Sequence, residues 1–298
     1  MTGLKRFFKK YGASYFLLSF WLVLFLFFTV IPIVASVLLS FTDFDMVNAL
    51  KPVGVDNYIR LLLEVDIFIK ALGNTLFYAL LTGPAGYLLS FIVAWLINET
   101  GRNMRAALTL IFYAPALAGN VFMAWQYIFS GDAYGILNSL LMRFGFIAEA
   151  IQWQNDPQYN SIVVITVILW MSMGAGFLSF VAGFKQLNTS LYEAAAMDGL
   201  RNRWQELWYI TLPQMVPQLL IGAVLTISTS FAVGYQNSVL TGNPSTDYST
   251  HTVVLHMSDY GYTRLEMGYA CTVAVVLFVI MIATWTLINR GLRSLSND

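Results

Sequence analysis

The side chains able to do chemistry are few and unevenly placed in this sequence. Two histidines, His251 and His256, and one cysteine, Cys271, occur in 298 residues. A lone cysteine forms no internal disulfide, and Cys271 sits in an apolar run, where it reads as a small hydrophobe. There is no H-E-x-x-H, no G-x-S-x-G and no metal-spaced Cys/His cluster, and the dipeptide Gly-Lys of a phosphate-cradling loop does not occur. The expectation is no catalytic residue, no metal and no cofactor held by this chain. Two stretches stand out instead. One is a run of neutral polar groups, "TISTSFAVGYQNS" at 226–238; the other is a charged stretch, "EAAAMDGLRNRWQELWYITLP" at 193–213.

The elements that carry them are apolar. Hydrophobic residues make up 58% of the chain and charged ones 11%, where soluble domains hold about a quarter charged. A spanning helix needs roughly 20 mostly apolar residues. Six segments qualify, at about 14–41, 71–97, 106–129, 160–184, 212–240 and 267–289, and none contains Asp, Glu, Lys, Arg or His. The first is too long for a signal peptide and lacks a cleavage site after it, so it reads as a retained helix. If the N-terminus is cytoplasmic, Lys5, Arg6, Lys9, Lys10, Arg102, Arg105, Lys185, Arg201, Arg203, Arg290 and Arg293 lie inside, and only Lys51, Arg60, Lys70, Arg143 and Arg264 outside. Excess lysine and arginine marks the cytoplasmic face. Both termini are therefore expected inside, with the 185–211 loop. Of the acids, Glu99, Glu193, Asp198, Glu206 and Asp298 fall on that side.

Wholly uncharged spans argue against a proton relay and against a charged cargo, since both call for an ionisable partner in the bilayer. They also argue against an ion channel. Taken singly, the neutral polar groups of the spans, Asn74, Thr75, Asn120, Gln126, Tyr127, Ser172, Ser179, Thr226, Ser228, Thr229, Ser230, Tyr235, Gln236 and Asn237, read as packing glue, worth about 0.6 kcal/mol each. The 226–238 run is denser than glue requires. Beside Trp125, Tyr127, Trp170 and Tyr235 it suits a sugar: amides and hydroxyls pair with sugar hydroxyls, and ring faces cover C–H surface.

The 193–213 stretch has the pattern of a short helix. Ser190 and Glu193 stand at capping-box spacing, Ala194, Ala195 and Ala196 are strong helix formers, and Gly199 is placed to end the helix in a left-handed conformation. Pro213 falls where the next span begins, and Pro217 follows one turn later. Glu193-Ala194-Ala195, Gly199 and Ile210-x-Leu212-Pro213 together resemble E-A-A-x3-G-x9-I-x-L-P. That is the signature loop of permease subunits in binding-protein-dependent ABC importers.

The resemblance extends along the chain to the carbohydrate-type sugar permeases, similar to the maltose-type first subunit. It is carried by "FWLVLFLFFTVIPIVASVLLSFTDFD" at 20–45, "GVDNYIRLL" at 54–62, the N-T-opening helix at 74–98, "GDAYGILNSLL" at 131–141, and the closing segment 239–278 with Gly268-Tyr269-Ala270. It implies an all-α integral membrane protein of six transmembrane helices. The architecture would be that of a type I ABC importer permease, a single domain over 1–298 in a prokaryotic plasma membrane, without nucleic acid.

The resemblance further implies that 185–211 is a coupling loop docking an ATPase through Glu193, Ala194, Ala195, Asp198, Gly199, Ile210, Leu212 and Pro213. It places a substrate path on the flanking spans, with Trp170, Ser172, Thr226, Thr229, Ser230, Gln236 and Asn237 as candidate contacts. The partners would be a second homologous permease, two ATPase subunits holding ATP and Mg, an extracytoplasmic solute-binding protein, membrane lipid and a neutral mono- or oligosaccharide. The alternatives are an ion-coupled secondary transporter of a neutral solute and an ABC permease for another cargo, such as glycerol phosphate.

Overall fold

The computed structural model describes residues 2–63, 65–119, 121–200 and 202–296. Asn120, Arg201 and Asp298 of the reading above lie outside the described residues. Regular structure among the described residues is helical, with one isolated antiparallel bridge between Thr42 and Pro52. Five stretches are long and apolar enough to cross a membrane: Tyr15–Leu39, Asp66–Asn98, Asn160–Lys185, Arg203–Phe231 and Met267–Arg290. A sixth crossing needs the pair Arg102–Leu117 and Phe122–Ile128, which meet at 86°. The segment expected to span at 106–129 is thus a bent pair. The one expected at 212–240 stops at Phe231 and resumes as a short helix at Tyr235. Periodicity alone misses both breaks, because apolar composition runs straight through them.

The chain groups into two compact units. In one, α1 (Thr2–Phe25) runs through a π-turn at Leu26–Val30 into α2 (Ile31–Leu39), followed by α3 (Asp56–Leu63) and the segment Met257–Leu277. The G-x-x-N-Y motif at Gly54–Tyr58 has a definite task here. Asn57 Nδ2 donates to the carbonyls of Ser40 and Thr42, at 3.0 and 2.8 Å, and Tyr58 shares a 2.8 Å hydrogen bond with Ser40 Oγ. Thr272 Oγ1 adds a bond to the same Ser40 carbonyl. The last carbonyls of a helix need such partners. Gly268 is required at this spot, since a Cβ there would lie 2.0 Å from the Thr42 carbonyl oxygen. Arg60 pairs with Glu266 and lies 4.6 Å from the Tyr269 ring centre.

The other unit holds α4 (Val65–Asn98), α5 (Arg102–Leu117), α6 (Phe122–Ile128), α7 (Ile136–Arg143), α8 (Asn160–Met171), α9 (Ala175–Lys185), α10 (Thr189–Met197), α11 (Arg203–Glu206), α12 (Leu212–Phe231), α13 (Tyr235–Thr241) and, as far as His256, α14 (Val253–Ser258). From Phe278 it also holds the rest of α15 (Met267–Ser296). Helices in lipid gain little from excluding water, so close packing and interhelical hydrogen bonds must hold them. α4, α9 and α12 meet around Phe91, Phe177, Phe180, Phe184 and Met215. Phe180 presents its edge to Tyr87 and Phe91 at 5.2 and 5.6 Å, a favoured aromatic geometry. It reaches that position only because residue 222 is glycine: a Cβ there would sit 2.5 Å from the Phe180 ring. A second core joins α4, α6, α8 and α13 through Tyr78, Phe122, Val163, Val164, Val167 and Leu240.

Candidate functional site

Two regions of the larger unit hold the candidate residues. The first is a hollow of about 330 Å³ surrounded by helix interruptions. Tyr113 and Ala116 line it near the end of α5, Ser172 and Gly174 at the break between α8 and α9, and Val233 and Gln236 at the break between α12 and α13. Broken backbone at membrane depth is tolerated where it lines a cavity and its polar groups find partners. They do so here. The Ser172 carbonyl accepts from Ser90 Oγ at 3.1 Å, and the Val233 carbonyl accepts from Thr252 Oγ1 at 2.8 Å.

Ser172, Thr226, Thr229, Ser230 and Gln236 come together on this wall. Trp170 and Asn237 do not line it. Trp170 packs edge-on against Trp125 at 5.2 Å. Asn237 is fully buried and donates to the Thr250 carbonyl at 2.8 Å. Thr82 and Tyr113 line the hollow and were missed in the sequence. Each is a polar residue in an apolar run shortly before a proline, Pro84 or Pro115, and that pairing is the signal that could have found them. Among the described residues the wall carries no Asp, Glu, Lys, Arg or His. Its serine and threonine hydroxyls give their protons to their own helices, among them Ser172 to Leu169, Thr226 to Gly222, Thr229 to Leu225 and Ser230 to Ile227. Their oxygens remain as acceptors. A ligand rich in O–H donors and free of charge suits such a wall.

The second region is the 185–211 loop. Asn188, not Ser190, caps α10: its side chain accepts from Ser190 N at 3.1 Å and from Ser190 Oγ at 2.8 Å. The S-x-x-E reading is therefore off by two residues, and Glu193 lies beyond the reach of a capping box. The other end follows expectation. Gly199 has φ +94°, Leu200 N donates to the Ala195 carbonyl and Gly199 N to the Ala196 carbonyl, the paired bonds of a Schellman ending. The interval from Gly199 to Ile210 holds ten residues, 200–209, one more than the signature's nine.

Tyr192 OH meets Thr211 Oγ1 at 2.7 Å, and Gln214 Oε1 accepts from Asn188 N at 3.0 Å, so α10 is fastened to the start of α12. Burial pushes the Tyr192 phenol up, opposed by its Thr211 bond and reinforced by the Glu206 and Glu99 carboxylates. A hollow of about 310 Å³ runs beside Ala194, Ala195, Asp198, Ile210 and Pro213. Ala195 and Ile210 are buried, Leu212 packs on the α4–α9–α12 core, and Glu193, Ala196 and Met197 face outward. Met197, at the tip of α10, is 89% exposed.

Residues 86–293 match the family described as binding-protein-dependent transport system inner membrane component. The probable ABC transporter permease protein YesP of Bacillus subtilis is 33% identical, covering 90% of this chain and 86% of its own. The arabinooligosaccharides transport system permease protein AraP of Bacillus subtilis is 27% identical (93% and 87%), and the lactose transport system permease protein LacF of Rhizobium radiobacter 28% (86% and 85%). Among solved structures, a chain of a bacterial ABC transporter importing the acidic polysaccharide alginate superposes with TM-score 0.77 at 22% identity, covering 98% of both chains. A second structure of a bacterial alginate ABC transporter, in complex with an alginate pentasaccharide-bound periplasmic protein, gives 0.78.

Proposed function

Since this chain belongs to the binding-protein-dependent transport system inner membrane components, we propose that it carries a neutral mono- or oligosaccharide through the acceptor-lined hollow between α4, α5, α8, α9, α12 and α13. It is a membrane permease subunit of an ABC importer and not an enzyme. The observation that carries the sugar reading is the wall itself: Ser172, Thr226, Thr229, Ser230 and Gln236 with Tyr113, and no charged side chain among them. Relatives named for arabinooligosaccharides and lactose support it.

In this reading both termini and the 185–211 loop face the cytoplasm. A second permease chain completes the pathway, two ATPase subunits holding ATP and Mg bind below, and a solute-binding protein delivers cargo from outside. α10 enters a cleft of one ATPase with Glu193, Ala194, Ala196 and Met197 outward. ATP-driven closure moves α10, and its fastening to α12 turns that motion into a change of access at the hollow, a rigid-body switch of packed helices.

The test is reconstitution in proteoliposomes with the second permease, the ATPases and the binding protein, using lactose and an arabino-oligosaccharide as trial cargoes. Uptake is expected only with ATP inside and binding protein outside. Sugar uptake by the permease chains alone, without the ATPases, overturns the reading.

A further inference from the structure

The loop has a further attachment, to α4, that the signature residues do not explain. Arg203, in α11, holds two carboxylates at once. One guanidinium nitrogen lies 3.2 Å from Glu99 Oε2 and another 2.8 Å from Glu206 Oε2. Glu99 follows directly on the end of α4, and the next residue of the loop, Trp204, sets its ring edge-to-face against Trp95 of α4 at 5.4 Å. Arg203 therefore joins α11 to α4, a helix far from it in sequence. It also lies in the interval that is one residue longer than the signature.

The pair is poorly placed to stabilise the fold. Arg203 is 64% and Glu99 43% exposed, and ion pairs so open to water contribute little to stability. Its geometry is nonetheless specific. A planar guanidinium can offer separate N–H edges to two carboxylates, whereas a lysine ammonium is a single point charge. Covalently, a displacement of α10 reaches only α9 and, through α11, α12. Arg203 and Trp204 add a direct contact to α4, and α4 brings Thr82 to the wall of the hollow.

We propose that Arg203 is a positioning residue of the transport cycle: bridged to Glu99, it carries the movement of the coupling loop to α4 as well as α12, so that both sides of the hollow turn together. The proposal rests on the coupling reading given above. Breaking the bridge leaves ATPase docking and ATP hydrolysis in place but disconnects them from the change of access.

The experiment uses the whole transporter in proteoliposomes and needs no cargo. Cys271 is replaced by serine and Ala116, exposed on the wall of the hollow, by cysteine. Labelling by a membrane-impermeant thiol reagent is timed with and without MgATP. In the otherwise native transporter MgATP changes the labelling rate at least tenfold. Arg203→Gln and Glu99→Gln each cut that change about fivefold, with unaltered ATPase co-purification and hydrolysis rate. The double variant is no worse than either single one, and Arg203→Lys recovers part of the response. An unchanged nucleotide response in Arg203→Gln, or additive losses in the double variant, overturns the proposal while the coupling reading stands. No response to MgATP in the native transporter defeats that reading, and this proposal with it.

Discussion

The hollow and the 185–211 loop satisfy their polar groups in opposite ways. Around the hollow, helices break where water is scarce, and a side chain from another element supplies a donor to the freed carbonyl at each break. Ser90 serves Ser172, and Thr252 serves Val233. In the loop, each helix end is finished by its own neighbours: Asn188 at the start of α10, Gly199 at its end and Asn202 at the start of α11. The hollow is therefore a property of the packed unit, and the loop a property of a short stretch of sequence. Damage to the first should appear as lost stability or lost cargo recognition. Damage to the second should appear as lost coupling in a chain that still folds.

Gly222→Leu tests the first half most severely. The new side chain must enter space held by the Phe180 ring, 2.5 Å from where its Cβ would sit, with α9 and α12 pressed together there. Overpacking of this kind costs typically 1–3 kcal/mol, and a leucine at so tight a crossing belongs at about 3. Thermal unfolding in detergent should show the loss, and uptake should fall with the amount of folded protein. A variant of native stability would mean that α9 and α12 are free to separate, and the contrast with the loop would disappear.

Gly199→Leu tests the second half. Nothing lies within 4 Å of a Cβ at this position, so the expected cost is conformational only. A φ of +94° is strained for an L side chain by about 1–2 kcal/mol, enough to unwind the end of α10. The chain should insert and unfold normally, yet release the ATPase subunits on purification and lose ATP-driven uptake. Retention of the ATPase together with normal uptake would remove α10 from the docking surface.

The same contrast explains what could be read from the sequence. Gly199 was legible because a left-handed ending needs only a glycine after a helical run. The cap was misplaced by two residues because Asn188 and Ser190 are both good capping types, and only the backbone (φ −80°, ψ 108° at Asn188) separates them. Five wall residues were legible as polar groups in apolar spans, but their grouping was not. Asn237 is the same kind of residue one position from Gln236, and a helix turn points it at Thr250 instead. The interruptions at Ser172–Gly174 and Ala232–Gly234 stayed hidden because glycine is common in membrane helices that do not break. Thr82 and Tyr113 became visible only once α4 and α5 were folded against the breaks.

Gln236→Leu separates recognition from stability within the hollow. The residue is half-buried on the wall and supplies amide donors among hydroxyls already committed to their own carbonyls. Losing one good polar contact to a sugar is worth about 1.4 kcal/mol, a tenfold rise in the half-saturating cargo concentration. Unfolding temperature and ATPase co-purification should not change. Equal uptake at all sugar concentrations would place the cargo elsewhere.

Ser90→Ala gives the smallest effect and the sharpest reading of the break itself. Its hydroxyl donates to the Ser172 carbonyl, where α8 stops and α9 has not begun, and Gly174 N donates to the same oxygen at 2.8 Å. Alanine removes one of two donors and leaves the oxygen satisfied by the other. The expected cost is therefore about 0.5–1 kcal/mol, below that of a fully orphaned carbonyl. Thr252→Val is the contrasting case: it removes the Thr252 Oγ1 donor of the Val233 carbonyl, which has no second donor among the described residues, and with it the acceptor of Leu255 N. If the breaks are held open by these donors, Thr252→Val should cost more than Ser90→Ala, about 1–3 kcal/mol, and the two losses should add when combined, since they act on separate oxygens. If the double variant costs no more than either one alone, the two breaks form a single cooperative unit. The hollow would then depend on one shared rearrangement of α4 and the 252 region, not on two independent caps.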